Sequence, residues 1–420
     1  MTPMNGDWGS PRTGVPSAPR DCLFEDLSLA KFWTTHDDLL WPFFLARGET
    51  RVYDFSSANL FRKYGEGYYE TFARLCHQRI KSWGMNTIAN SSDLKICLMD
   101  GFADAPRTPY AERVECQSRP IAGSHGQWWK FRDPWDASFS AGVTAALAAH
   151  GREAHDPWCI GFFIDNEINW GWATDLAKWT LQSPADQPAK IAFADWLEKK
   201  YGSFAVVNAR WGSAYADRAH FLSSIALPSD GAKDDLYQFS NVVIDRYFRM
   251  TRETVKAFDA KLLYLGCRFA GWARNEVASA CAKYCDVVSY NIYGDHVRNW
   301  RLPAGLDAPV MIGEFHFGAT DRGPFGTGVA QAQNQDERAA RMTAYVESAL
   351  DNPQIVGVHW HQFSDQATTG RFDGEYLQVG LTDICDTPYP EMRAALRAVG
   401  AGLYDRRAGA ADAGRANIQK

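Results

Sequence analysis

Two glutamates stand where they can do acid–base work. Glu167 follows the apolar run Ile160-Gly-Phe-Phe-Ile-Asp165-Asn166-Glu167, and Glu314 ends Val310-Met-Ile-Gly-Glu314. A carboxyl placed straight after a buried strand must find a partner, meet solvent or sit in a site that uses its charge. One such acid is ordinarily a salt bridge or a loop hydrogen bond; two that open into one mouth are a catalytic pair. Opposed carboxyls about 5–5.5 Å apart serve a retaining glycosidase, one as nucleophile and one as proton donor, whereas about 6.5–9.5 Å leaves room for a water and inversion. An ionised Glu314 raises the pKa of Glu167, which stays protonated for the leaving oxygen. Once the sugar is esterified to Glu314 that charge is gone, and Glu167 can act as a base toward water. Asn166 offers an amide to a sugar hydroxyl, and its other reading is a turn residue.

These residues need elements that aim them together. Cys159–Ile164, Leu262–Cys267, Val287–Tyr290, Val310–Ile312 and Ile355–Val358 are short apolar or β-branched runs. Helical patterns lie among them, at 66–83, after Asp136, and over 276–284, 336–350 and 391–399. Alternation of this kind implies parallel pairing, with both sheet faces covered. If two or three units precede Cys159, the chain is an α/β protein with eight units, a (β/α)8 TIM barrel with elaborated loops. A doubly wound open sheet is the alternative, but no GxGxxG follows an early strand. The stretch from Ile168 to about Lys233 is too long for one unit and reads as a helical insertion after strand four. We read residues 1–20 as a flexible arm, 21–405 as a single catalytic domain and 406–420 as a flexible tail.

Composition narrows the class. The chain has 420 residues, 46% hydrophobic and 22% charged, which is globular. Its net charge of -6 gives no positive excess to hold a nucleic-acid backbone. The longest apolar runs, such as Leu39–Ala46, fall far short of the roughly 20 residues needed to cross a bilayer. The 9 cysteines are dispersed and odd in number, not a disulfide framework, and Cys281 and Cys285 stand without the partner pairs of a zinc site. With no apolar leader at the N-terminus, we expect a cytoplasmic protein. The 16 Trp, 17 Tyr and 24 Phe suit either a large core or surfaces that stack on sugar rings.

Asn-Glu at one strand end and Glu at another, in a (β/α)8 chain, resembles the large clan of retaining glycosidases. Residues 156–172 (DPWCIGFFIDNEINWGW), 312–328 (IGEFHFGATDRGPFGTG) and 356–390 are similar to glycoside hydrolase family 50, the β-agarases. Family 42 β-galactosidases are a more distant likeness. Ala58–Gly65 and Ser82–Thr87 add to a resemblance that covers roughly residues 50–400. It implies Glu167 as acid/base, Glu314 as nucleophile and exo-cleavage of agarose-type chains, with no metal and no organic cofactor. A strand-six tyrosine orients the nucleophile in the clan, and we choose Tyr293 over Tyr290. By the same likeness Trp360 is the platform under the sugar. Trp172, His316, Arg268, Asn59, Asp365 and Gln366 are further candidates to bind an oligosaccharide or polysaccharide. His359-x-His361 would suit a metal pair, but no further ligand set accompanies it. A β-galactosidase on small galactosides and a non-catalytic carbohydrate-binding barrel are the alternatives.

Overall fold

Runs that are apolar on both faces become parallel strands, because only a sheet covered on both sides buries them. The computed structural model describes residues 12–14, 27–34, 52–126, 128–323, 325–368, 370 and 374–418. Near the start, β1 (Arg12–Gly14), β2 (Trp33–Thr34) and β3 (Val52–Asp54) form a small antiparallel sheet, with β3 in the middle. The remaining pairing is parallel. β4 (Tyr110–Val114) lies beside β5 (Cys159–Ile164). β6 (Phe269–Ala270), β7 (Val288–Asn291), β8 (Val310–Phe315) and β9 (Ile355–Trp360) follow one another in order. Single parallel bridges, Ile88 to Tyr110 and Phe162 to Tyr264, extend the succession. Counted from Ile88 to β9, with Tyr264 running into β6, seven parallel segments stand in chain order.

Helices cover this sheet for reasons the sequence carries. In Ala137–Ala149 the side chain of Asp136 accepts the Ser138 N–H at 2.9 Å, and Phe139, Val143 and Leu147 bury one stripe at four-residue spacing. Tyr68–Ser82 buries Phe72, Ala73, Cys76 and Ile80, and Gly84 at φ +82 takes the chain out into the next segment. Between β5 and Tyr264 the expected insertion holds four short helices, Asp175–Leu181, Pro188–Tyr201, Phe204–Trp211 and Arg218–Ser223. Pro188–Tyr201 packs on the long helix Lys233–Phe258 through a stacked pair, Phe193 on Phe239 at 4.0 Å.

β4 is the strand that the sequence pattern hides. Glu112 and Arg113 interrupt its apolar run, yet Glu112 is only 4% exposed and Arg113 lines a cavity at the carboxyl edge of the sheet. The arm expected over residues 1–20 lies mostly outside the described residues; Arg12–Gly14 is a strand paired with β3. From Arg406, where a tail was expected, the helix Pro390–Ile418 continues. Arg406 donates to both Asp351 oxygens at 2.8 and 2.9 Å, and Arg407 to the Asn352 carbonyl at 2.6 Å, so two guanidinium forks tie the helix down at these residues. The 8 described cysteines are free thiols; Cys22 lies outside the described residues. Among the described residues no helix is long and apolar enough to cross a membrane.

Candidate active site

The carboxyl ends of β5, β7 and β8 meet around a cavity of about 160 Å³. Glu167 and Glu314 both line it, with Asn166, Arg268, Tyr293, His316 and Trp360. The backbone turns sharply to present these groups. Asp165, Glu167 and Arg268 have φ of +63, +50 and +54, in the left-handed region that costs a side-chain-bearing residue about 1–2 kcal/mol. Parallel-sheet hydrogen bonds hold the turns, with Asp165 N–H on the Val114 carbonyl at 2.8 Å and Ile164 N–H on that of Gly266 at 3.0 Å. Strain of this kind persists only where the surroundings over-determine it, typically at a working site.

The two carboxyls occupy different electrostatic surroundings. Burial alone would push Glu314 up, but the guanidinium of Arg268, His361 and the hydroxyl of Tyr293 hold it down to about 2. Arg268 is 1% exposed, and its Nη2 pairs with Glu314 Oε1. Tyr293 donates to Oε2 at 2.6 Å. Tyr290 instead packs against Phe269 and Trp300, at ring centroids 4.9 and 4.8 Å. Glu167 goes the other way: burial raises its pKa, and the charge of Glu314 raises it further. Two donors temper that rise, Asn291 Nδ2 to Oε1 at 2.8 Å and Trp128 Nε1 to Oε2 at 3.1 Å.

Other candidates fall into place around them. Asn166 is 6% exposed and its Oδ1 is without a protein partner, as a group awaiting a hydroxyl would be. His316 accepts the Val329 N–H at 3.0 Å through Nε2, and burial pushes its pKa to about 3, so the ring is neutral. Trp360 lines the cavity and anchors its indole N–H on the Val379 carbonyl at 2.9 Å. Gly313 is required by close approach, since a Cβ there would meet Asn291 Oδ1 at 2.7 Å and Arg268 Nε at 3.2 Å.

Four expected residues lie elsewhere. Asn59 donates to the Ile384 carbonyl at 3.1 Å and stitches its helix to a loop. Asp365 is fully buried, accepting the Gly380 N–H at 2.7 Å and the Tyr389 hydroxyl at 2.5 Å. Gln366 is buried as well, and accepts the Leu377 N–H at 2.8 Å. The loop after β9 folds back on itself, so these polar side chains satisfy its backbone rather than a ligand. Gln366 still reaches the cavity indirectly, through Glu375 Oε2 at 3.2 Å. Trp172 does not line the cavity but stands 69% exposed beside Trp272. His361 lines this cavity, whereas His359 lines another with Ile160 and Leu263, so they do not form one ligand pair. Among the described residues no cluster of His, Cys, Asp or Glu could hold a metal ion.

Sequence reading missed Asn291, which holds Glu167, and Trp128, Arg113 and Glu375 at the cavity, and it weighed His361 only as half of a metal pair. Asn291 carried a signal, since it sits two residues before Tyr293 at the end of the same strand. Trp128 carried none, because it reaches Glu167 from a distant loop.

An α/β sheet of parallel strands with two carboxyls lining one cavity at its carboxyl edge has the architecture of a glycoside hydrolase site. The family 42 model, described as β-galactosidase, matches residues 129–330. β-Agarase B of Vibrio sp. (strain JT0107) is 35% identical, over 86% of this chain and 39% of that protein. β-Agarase A of the same strain is 36% identical, over 78% of this chain and 35% of its own length. Among solved structures, an exo-β-agarase superposes with a TM-score of 0.77 at 34% identity, covering 85% of this chain and 50% of its own. A second agarase gives 0.80 at 31%, covering 91% and 56%. The chain is thus a relative of the family 50 β-agarases and more distantly of the family 42 β-galactosidases, and it shares the fold of the agarase structures. It spans under two fifths of the length of the curated relatives it matches.

Proposed function

We propose that the protein is a retaining β-glycoside hydrolase, exo-acting on galactose-containing, agarose-type oligo- or polysaccharides. The observation that carries this reading is the opposite bias on two carboxyls in one cavity, Glu314 pulled down to about 2 and Glu167 raised. Glu314 is the nucleophile: its carboxylate oxygen attacks the anomeric carbon while Glu167 gives its proton to the departing glycosidic oxygen, breaking that C–O bond. Forming the ester removes the charge of Glu314, and the pKa of Glu167 falls. Glu167 then accepts a proton from water, whose oxygen attacks the anomeric carbon and releases Glu314 as carboxylate. Tyr293 and Arg268 orient the nucleophile, Asn166 and His316 offer polar contacts to sugar hydroxyls, and Trp360 is the sugar's platform.

The barrel belongs to the same proposal: the seven parallel segments from Ile88 to β9, with one further strand, close into an eight-stranded (β/α)8 unit, a reading supported by the order of the strands. The free cysteines favour a reducing compartment, and we place the protein in the cytoplasm. Residues 129–330, which match the β-galactosidase model, favour a second reading, hydrolysis of small β-galactosides.

Nitrophenyl β-galactoside and agaro-oligosaccharides, assayed side by side, separate the two. Glu314→Ala abolishes turnover on whichever is the substrate, and azide partly restores it by standing in for the missing carboxylate. Full activity in that variant, or a first product of inverted anomeric configuration by NMR, overturns the assignment.

A further inference from the structure

The sheet holds the turn that presents Glu167 only loosely. Asp165 and Glu167 have φ of +63 and +50, on either side of Asn166. The Glu167 N–H makes only long contacts, 3.3 Å, with the carbonyls of Cys267 and Arg268, where a good backbone hydrogen bond is about 2.9–3.0 Å. Firm strand pairing therefore ends at Asp165, whose N–H meets the Val114 carbonyl at 2.8 Å. A side chain that must deliver a proton to one atom of a substrate needs a better-fixed backbone than that.

Tyr247 supplies the missing hold from the helix Lys233–Phe258, 82 residues along the chain from Asp165. It is buried, and its hydroxyl donates to Asp165 Oδ2 at 2.7 Å. Asp165 Oδ1 accepts the Cys116 N–H at 2.7 Å, two residues past β4. One carboxylate thus ties the helix to the ends of β4 and β5. The ring of Tyr247 takes the other side of the turn. It meets Trp170, three residues past Glu167, edge-on at 5.2 Å between centroids, while the next helix residue, Phe248, stacks on the same indole at 5.1 Å. Tyr247, Asp165 and Glu167 also share the lining of a small cavity of about 20 Å³. The acid is gripped before and after by a single side chain, which is the over-determination that positive φ at two such residues requires.

We propose that Tyr247 is a positioning residue for the acid/base: through Asp165 and Trp170 it fixes the turn that aims Glu167 at the departing glycosidic oxygen. Tyr247 does not line the catalytic cavity, so it acts only through that turn. Glu314 is held by Arg268 and Tyr293 instead, and its attack on the anomeric carbon is spared. The inference rests on the glycosidase reading and adds a residue that the catalytic pair alone does not require.

Aryl β-glycosides of the released sugar, with dinitrophenol or phenol as leaving group, separate the two halves of the site. Dinitrophenolate departs with little help from an acid, whereas phenolate needs the proton of Glu167. In Tyr247→Phe, kcat/KM should fall on the order of tenfold for the phenyl glycoside and stay within about twofold for the dinitrophenyl one. Asp165→Asn breaks the same link and should do the same, so whichever variant folds, by circular dichroism, reads the effect. The double variant should lose no more than the worse single one, because the two residues act as a unit. Phe239→Leu, on the same helix but packed on Phe193, leaves the turn untouched and should affect both substrates alike. Equal losses on both substrates in Tyr247→Phe, an equally selective loss in Phe239→Leu, or losses that multiply in the double variant overturn the positioning role and leave the catalytic pair standing. No turnover of any glycoside by the unaltered protein overturns both readings.

Discussion

Replacing Arg268 with methionine removes the cation beside Glu314 while keeping most of the volume. Glu314 is buried, and burial alone would hold its pKa above 4.5; Arg268 is the foremost group that draws it down to about 2. That interval corresponds to about 3 kcal/mol in favour of the carboxylate. Nucleophilic attack requires the ionised form, so the acid limb of kcat/KM tracks this group. In the unaltered protein the limb should fall below the working range, and in Arg268→Met it should move up toward pH 4.5 or beyond. The stability linked to the group behaves in parallel. Its depressed pKa contributes stability that is present above the unfolded value of 4.5 and lost as pH falls toward 2, and Arg268→Met forfeits that contribution. Removing one partner of a buried ion pair costs about 3–5 kcal/mol, so Arg268→Lys serves as the companion variant. It keeps the charge and should leave the acid limb low while kcat falls, because an ammonium cannot reproduce the fork. The assay is a kcat/KM profile from pH 3 to 8 on the active substrate, with folding checked by circular dichroism. An acid limb in folded Arg268→Met no higher than in Arg268→Lys would refute the reasoning.

Asn291→Ala withdraws the 2.8 Å hydrogen bond that favours the charged form of Glu167. A hydrogen bond to a charged group contributes about 1.5–3 kcal/mol, so the alkaline limb should move up by about one to two pH units as kcat drops. A uniform loss with no movement of the limb would mean that Asn291 is only structural. Beneath the site, burial pushes Glu115 up to about 8, and Asp165 is raised beside it. Between pH 4.5 and 8 the unfolded chain has given up the Glu115 proton that the folded one keeps, so stability falls as pH rises through that window. Glu115→Gln should flatten the decline of Tm across pH 5 to 8, and an equally steep decline would contradict the buried acid.

Legibility in the sequence follows the range of the forces involved. Cys159–Ile164 forms β5 over the span its apolar run marks, and helix 336–350 begins one residue early, at Gln335. Both are local patterns. β4 escaped because the charges of Glu112 and Arg113 mask a strand whose burial depends on partners far along the chain. Asp365 and Gln366 looked like ligand contacts because they follow the last strand, yet they close hydrogen bonds within their own loop.

Residue order alone determined the alternation of strand and helix and the two strand-end glutamates, since periodic burial and chain direction are written locally. Only the tertiary structure decided the division of charge between them. Glu314 meets Arg268 and Tyr293 across strand boundaries, and Glu167 meets Asn291 and Trp128, at separations of 21 to 124 residues. Through a low-dielectric cavity those distant partners set the two acids apart, and no spacing along the chain encodes that separation.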